Sequence, residues 1–256
     1  MKEVFIKMNK KTVFVTGATG GIGLKITEMC IKRGYTVYAT GRNESALKTL
    51  SGMGAHAMQA DLRRREDVER VVKELPDIDV AILNAGLGIF ANAHELTDED
   101  VETMLDVNVK APIYFTKRLA PRMIARGGGH LIFVGSQAGK VATRKASVYA
   151  ATKHAVTGFV NGVRLELAEY NVKVTGIYPG PIDTPFLQKA DATNAYRDSI
   201  KRFLLEPEYV AAEVVKTIER PLREVNLPRV MGLTAKLYAV APVLVEKVGK
   251  GFFNKK

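Results

Sequence analysis

The sequence predicts an α/β fold with one doubly wound central parallel sheet of six to seven strands and helices on both faces. Three observations carry that expectation. Short apolar runs alternate with stretches of helical periodicity, the pattern of successive βαβ units. The first run, Thr12-Val-Phe-Val-Thr16, passes into a glycine-rich turn that opens a helix. The 256 residues are 46% apolar and 25% charged, an ordinary globular composition with length enough for one large core.

After that first strand, a helix runs to Arg33 with Ile22, Ile26, Met29 and Cys30 at helical spacing, and Gly34 ends it. Thr36–Thr40 is expected as the second strand, Ala55–Gln59 as a short third and Val80–Leu83 as the fourth. His130–Gly135 reads as the fifth, Val172–Tyr178 as the sixth and Glu224–Pro228 as an edge strand. Helices are expected near 44–51, 64–75, 97–125, 147–170 and 207–220. Right-handed crossovers place them on both faces of the sheet. Residues 1–256 therefore read as a single domain, with two parts outside the core: an insertion at 181–206 and a basic, apolar tail at 230–256.

Lysine and arginine number 38 against 27 acidic residues, a net charge of +11. No acidic residue stands between Asp106 and Glu166, where much of that excess lies. The stretch has no zinc-finger spacing, RNA-binding signature or aromatic-interleaved ribbon, so no nucleic-acid partner is expected. The charged N-terminus leaves no signal-peptide core, and no window suits a spanning helix, so a soluble cytoplasmic protein is the expectation. Cys30 is the only cysteine and excludes an intrachain disulfide. With it, His56, His94, His130 and His154 show no metal spacing, so no metal site is expected.

Three motifs carry chemistry. In Thr16-Gly17-Ala18-Thr19-Gly20-Gly21-Ile22-Gly23 the glycines allow a tight turn and close approach of a pyrophosphate to a helix N-terminus, although a structural turn reads the same in isolation. Tyr149 and Lys153 lie four residues apart, on one helical face, where an ammonium can tune a phenol as an acid or base. Alone, that pair reads equally as a solvated helix face. Ser136 follows the apolar run 131–134, at the carboxyl edge of the sheet where ligands bind, a position that also suits a simple helix cap.

Together these residues resemble the short-chain dehydrogenase/reductase family, from about Lys11 to Arg229. The resemblance adds Asp61 after the third strand, Asn84-Ala85-Gly86 after the fourth, Asn108 in Asp-Val-Asn-Val, and Pro179-Gly180-Pro181-Ile182-Asp183-Thr184 after the sixth. It implies a Rossmann fold and a nicotinamide coenzyme held first by Gly17, Thr19, Gly21, Ile22 and Gly23. Asp61 and Leu62 would meet the adenine, and Asn84, Ala85 and Gly86 the adenosine ribose region. Pro179, Gly180, Ile182 and Thr184 would flank the carboxamide. Tyr149 would exchange the proton with the carbonyl oxygen, and Ser136 would orient that carbonyl. Lys153 would hold the nicotinamide ribose and lower the Tyr149 pKa, while Asn108 would bind a water of the proton relay. Thr40 stands where NAD-preferring members end the second strand with a carboxylate, and Arg42 follows; both point to NADP(H), with NAD(H) still compatible.

The implied activity is hydride transfer between NADP(H) and a small-molecule carbonyl or alcohol, of apolar character because 181–206 is rich in apolar residues such as Phe186 and Tyr196. Alternatives are a 3-oxoacyl-(acyl-carrier-protein) reductase and a non-catalytic nucleotide sensor. Ala168-Glu169-Tyr170 lacks the arginine usual in the first, and the second would normally lack Tyr149 or Lys153. The 97–125 helix begins acidic and ends in Lys117, Arg118, Arg122 and Arg126, which suits its own dipole and also an antiparallel two-fold contact, hence a homodimer or homotetramer. In the tail, Leu233, Leu237, Val240 or Ala241, Leu244 and Val248 share helical spacing, with Lys236, Lys247, Lys250, Lys255 and Lys256 around them and Pro242 interrupting. Packing on the domain or a neighbouring subunit is the preferred reading over a membrane-surface helix.

Overall fold

β1 (Thr12–Thr16) alternates β-branched and aromatic residues, is buried over its last four positions and pairs on both edges, which makes it an interior strand. The computed structural model describes residues 10–191, 193 and 195–249. The remaining strands are β2 (Thr36–Gly41), β3 (His56–Gln59), β4 (Val80–Leu83), β5 (Gly129–Val134), β6 (Val172–Pro179) and β7 (Glu224–Leu227). They form a seven-stranded sheet in the order β3-β2-β1-β4-β5-β6-β7, parallel at every pairing. This is the Rossmann-like order. The direction of winding reverses between β1 and β4, and ligands bind in the crevice such a reversal opens at the carboxyl ends of strands.

Helices α1 (Gly21–Lys32), α2 (Glu44–Gly52), α3 (Arg65–Glu74), α4 (Asp98–Leu105), α5 (Ala111–Ala125) and α6 (Ser147–Glu166) follow in chain order. The short α7 (Pro185–Ala190) and α8 (Ala195–Ile200) lie in the insertion, followed by α9 (Pro207–Glu219), α10 (Arg229–Val240) and α11 (Pro242–Val248). One core lies under α3, α5 and α6, where Phe14 and Phe115 meet at 5.2 Å between ring centroids. The other lies under α1 and α9, built from residues such as Val13, Ile26, Ile82 and Val214. Cys30 is buried there, and burial pushes its thiol up to about 12, as an inert structural cysteine requires.

Three differences from the sequence expectations have identifiable causes. The 97–125 helix is split by a π-helical turn over Asp106–Lys110. Pro112 has no N–H for the carbonyl four residues back, and the winding widens so that the Ala111 N–H reaches Asp106 O. The 147–170 helix ends at Glu166, and Asn171, at φ +55°, turns the chain into β6. The basic end of α5 is held within the chain: Arg118 pairs with Glu69, Arg122 with Leu75 O and Asp77, and Arg126 with Ile78 O and Asp79. Those cations are not free to face a partner's acidic half, which removes the charge argument for the two-fold contact.

The tail departs most. Pro242 does separate two helices, but the stripe Leu233, Leu237, Val240, Leu244 and Val248 faces outward. What docks on β7 instead is a small-residue face: Gly232 and Ala235 are buried, and a Cβ at Gly232 would stand 2.8 Å from Asn226 Cγ. Lys250, Lys255 and Lys256 lie outside the described residues, as does Ala192 of the insertion. Among the described residues no helix is long and apolar enough to cross a membrane.

Candidate active site

A cleft of about 790 Å³ lies at the carboxyl edge of the sheet, within the range of cofactor sites. At one end its wall is backbone. Gly17 sits at φ +67°, and a Cβ there would come within 2.9 Å of Ala85 Cα. A Cβ on Gly23 would stand 2.2 Å from Gly17 O, so only glycine lets α1 start this close to β1. α1 opens at Gly21 with no side-chain cap and no acid in its first turn, and open space surrounds the Gly20 Cα. An uncapped helix N-terminus with glycine approach fits a pyrophosphate, so these residues suit a dinucleotide. Ile22, Thr19, Ala85, Gly86 and Leu62 line the same end.

Several residues of this end do something other than expected. Thr40 is fully buried, and its hydroxyl donates to Met58 O at 2.8 Å, so it is not offered to the cleft. Arg42, two residues on, lines the cleft and is exposed; no hydrogen bond of its guanidinium is made among the described residues. Asn84 is a staple: its Nδ2 donates to Thr16 O at 2.9 Å while its backbone N–H donates to Thr16 Oγ1. Its Nδ2 thus joins the ends of β1 and β4, while the residue still lines the cleft. Asp61 lines the cleft, but Arg63 grips its carboxylate from Nε and Nη2 and holds it below the usual carboxylate range. Arg63 had no motif to mark it in the sequence.

The opposite wall is the segment after β6, where Pro179, Gly180, Ile182 and Thr184 line the cleft. Ile182 bridges to Leu205, and Arg197 holds Asp183 at 2.7 Å, so both ends of the insertion are tied down. Phe186 and Tyr196 face the cleft from α7 and α8, whereas Leu187, Ala190 and Ile200 are buried, so the insertion's apolar residues divide between lining and packing.

At the floor, Tyr149 and Lys153 are buried on one face of α6. The Ser136 hydroxyl, at the end of β5, accepts from the Ala138 N–H at 3.1 Å and is hydrogen-bonded to Tyr149. Phe90 meets the Tyr149 ring edge-on at 5.7 Å, Phe186 tilts against it at 5.8 Å, and Tyr196 lies 5.4 Å from Phe90. Burial pushes the Tyr149 phenol up to about 12, against the opposing pull of Ser136. Burial also pushes Lys153 down to about 8. The expected depression of the phenol by the ammonium is not what the site shows: Lys153 Nζ donates to Val134 O and lies 5.8 Å from the Tyr149 ring centroid, and desolvation prevails.

Asn108 sits in the π turn as a clamp. Its two N–H groups donate to Leu87 O and Thr152 Oγ1, and its Oδ1 accepts from the Leu87 N–H. Thr152 in turn donates to Tyr149 O, so Asn108 ties the loop after β4 to the turn of α6 between Tyr149 and Lys153. Its N–H groups are therefore not available to the expected water; Oδ1 and Lys153 Nζ both lie around Gly86. Pro112, four residues after Asn108, is the signal that would have marked the π turn.

Sequence reading also missed a polar cluster behind Ser136. Gln137 donates to Tyr178 O and Asn226 Oδ1, and Lys140 reaches Glu224 and Asn226 while standing 4.1 Å from the Tyr178 ring centroid. It missed too that Met231, Thr234, Tyr238 and Val245, from the tail, line the cleft.

A dinucleotide-type cleft with a Ser–Tyr–Lys trio at its floor is the architecture of a nicotinamide-dependent oxidoreductase. The chain belongs to the short chain dehydrogenase family, whose family model matches residues 11–195. It is 37% identical over 214 residues to the NADP-dependent 3-hydroxy acid dehydrogenase YdfG of Escherichia coli K12, covering 79% of this chain and 86% of that one. It is 33% identical over 259 residues to the uncharacterized oxidoreductase YxnA of Bacillus subtilis, covering 94% and 72%. A solved closed form of serine dehydrogenase complexed with NADP+ superposes with a TM-score of 0.78 at 34% identity, covering 84% of this chain and 93% of that one.

Proposed function

We propose that the protein interconverts an apolar carbonyl compound and its alcohol with NADP(H), using Tyr149 as the proton donor and acceptor. The observation that carries this reading is the Tyr149 hydroxyl, bonded to Ser136 inside a ring of Phe90, Phe186 and Tyr196. The nicotinamide, when bound, supplies or accepts the hydride. Gly17, Thr19 and Gly21–Gly23 would hold its pyrophosphate end, and Pro179–Thr184 its carboxamide. Tyr149 stays protonated at neutral pH because burial raises it, so it enters reduction as an acid, ready to give its proton to the carbonyl oxygen. Ser136 orients that oxygen and stabilises the charge growing on it. Lys153 holds the coenzyme ribose and supplies a nearby positive charge. Asn108 keeps the Leu87 loop seated on α6, and so positions both groups.

Arg42 supports NADP(H): a guanidinium exposed at the cleft suits a 2′-phosphate, and no carboxylate ends β2. The NADP-dependent relatives agree with that preference. We further propose one domain with 181–206 as its lid, action in the cytoplasm, and a homodimer or homotetramer.

A second reading, a 3-hydroxy acid substrate, rests on the Escherichia coli relative and on Lys189, a cation lining the cleft. A panel of apolar ketones, acetoacetyl thioesters and 3-hydroxy acids, each with NADP(H) and NAD(H), separates the readings. Turnover of apolar ketones with NADPH is the expected result. Exclusive turnover of 3-hydroxy acids moves the assignment to the second reading, and exclusive turnover of thioesters to an acyl-carrier reductase.

A further inference from the structure

The tail helices have two faces with different fates. Met231, Thr234 and Tyr238 of α10, with Val245 of α11, form part of the cleft wall. On the outside, Leu233, Leu237 and Val240 of α10 continue into Val243, Leu244 and Val248 of α11, with exposures between 54% (Leu237) and 87% (Val240). Elsewhere among the described residues, large exposed apolar residues come singly or in twos, as Leu165 with Tyr170 and Phe203 with Tyr209, whereas these two adjoining helices carry seven, Val230 included. A contiguous exposed apolar face of this kind marks an interaction surface.

We propose that α10–α11 lies on an anionic lipid bilayer, with the outer wall of the cleft against the membrane. Charge chooses this occupant. From Arg229 to Lys256 the sequence carries six cations and one carboxylate, Glu246, and the Tyr238 hydroxyl donates to that carboxylate at 2.9 Å. Lys236 and Lys247 are exposed beside the aliphatic residues. Aliphatic side chains flanked by lysines on short helices are the composition of an element lying in the plane of a membrane interface. At 12 and 7 residues neither helix can span. A second copy of the chain fits less well, because an isologous two-fold would turn this face, with its excess of cations, onto a copy of the same sign.

The test is flotation of the full chain with vesicles of phosphatidylcholine alone or mixed with phosphatidylglycerol, at low and raised salt. The expected result is partition onto the mixed vesicles, weakened by salt. Leu237→Glu with Leu244→Glu should lower that partition by more than about tenfold. Lys236→Glu with Lys247→Glu should lower it by about fivefold or more per site. All four residues are exposed and outside the cleft lining, so circular dichroism and turnover of a soluble ketone should be unchanged in both variants. No partition onto mixed vesicles overturns the proposal, as does partition indifferent to the leucine substitutions. A drop in oligomeric size in the leucine variant without vesicles assigns the face to a second copy instead. Flotation does not depend on turnover, so this proposal and the reductase assignment fail separately.

Discussion

At the coenzyme end of the cleft the wall is backbone, and at the substrate end it is side chains carried by short helices. Gly17, Gly23 and the Asn84 staple fix the first end from the strands themselves, and a single added methyl at Gly23 would meet Gly17 O at 2.2 Å. Phe90, Phe186, Tyr196, Met231 and Tyr238 shape the second from a loop, two six-residue helices and the tail. Backbone walls tolerate almost no substitution because nothing can rotate away. Side-chain walls can be exchanged one residue at a time, which is how one scaffold keeps a coenzyme and changes its substrate.

The comparison can be tested by substituting each end in turn. Tyr149→Phe should have the largest effect, lowering turnover by roughly 10²–10⁴-fold, the usual share of a general acid, with coenzyme binding nearly intact. A loss below about tenfold would refute the proton role. Gly23→Ala should do the reverse: overpacking against Gly17 O should cost about 1–3 kcal/mol of stability and weaken coenzyme binding for every substrate alike. Thermal melts with and without NADPH check it, and an unchanged melting temperature with unchanged binding counts against the rigid-wall picture.

Arg42→Ala should change the NADPH/NADH preference by about ten- to a hundred-fold, since a charge-assisted contact is worth roughly 1.5–3 kcal/mol. Steady-state kinetics with both coenzymes measure this, and equal use of the two by the unmutated protein would contradict the preference. The smallest effect concerns pH. Lys153 is charged below its lowered value of about 8 and loses that charge as pH rises through it, while Tyr149 remains protonated to about 12. Reduction should therefore be full below about 8 and decline above it, which a pH profile of kcat/KM reads directly. A profile flat well beyond that value would remove Lys153 from the proton step.

Much of this was legible because it is local. The glycine turn, the i, i+4 pair of Tyr149 and Lys153, and Ser136 after β5 are short-range patterns tied to strand ends and helix pitch. The misreadings concern groups whose partners lie far away in sequence. By its position Thr40 reads as a cleft residue, but Met58 O, on the neighbouring strand, takes its hydroxyl. The two contacts made by the Asn108 amide N–H groups, with Leu87 O and Thr152 Oγ1, were likewise not legible. Arg118, Arg122 and Arg126 read as free cations until α3 and the loop before β4 met them.

The sequence by itself determined the order of elements, the class of reaction and which residues are proposed to carry the proton, because hydrophobic period, glycine conformation and motif spacing are properties of neighbouring residues. Tertiary structure alone decided the protonation of Tyr149 and Lys153, since desolvation depends on everything packed around them. It also decided which way the tail faces. A periodic stripe shows that a helix has an apolar side, but the packed surface of β7, which admits Gly232 and Ala235 and no larger residue beside Asn226, turned that side outward.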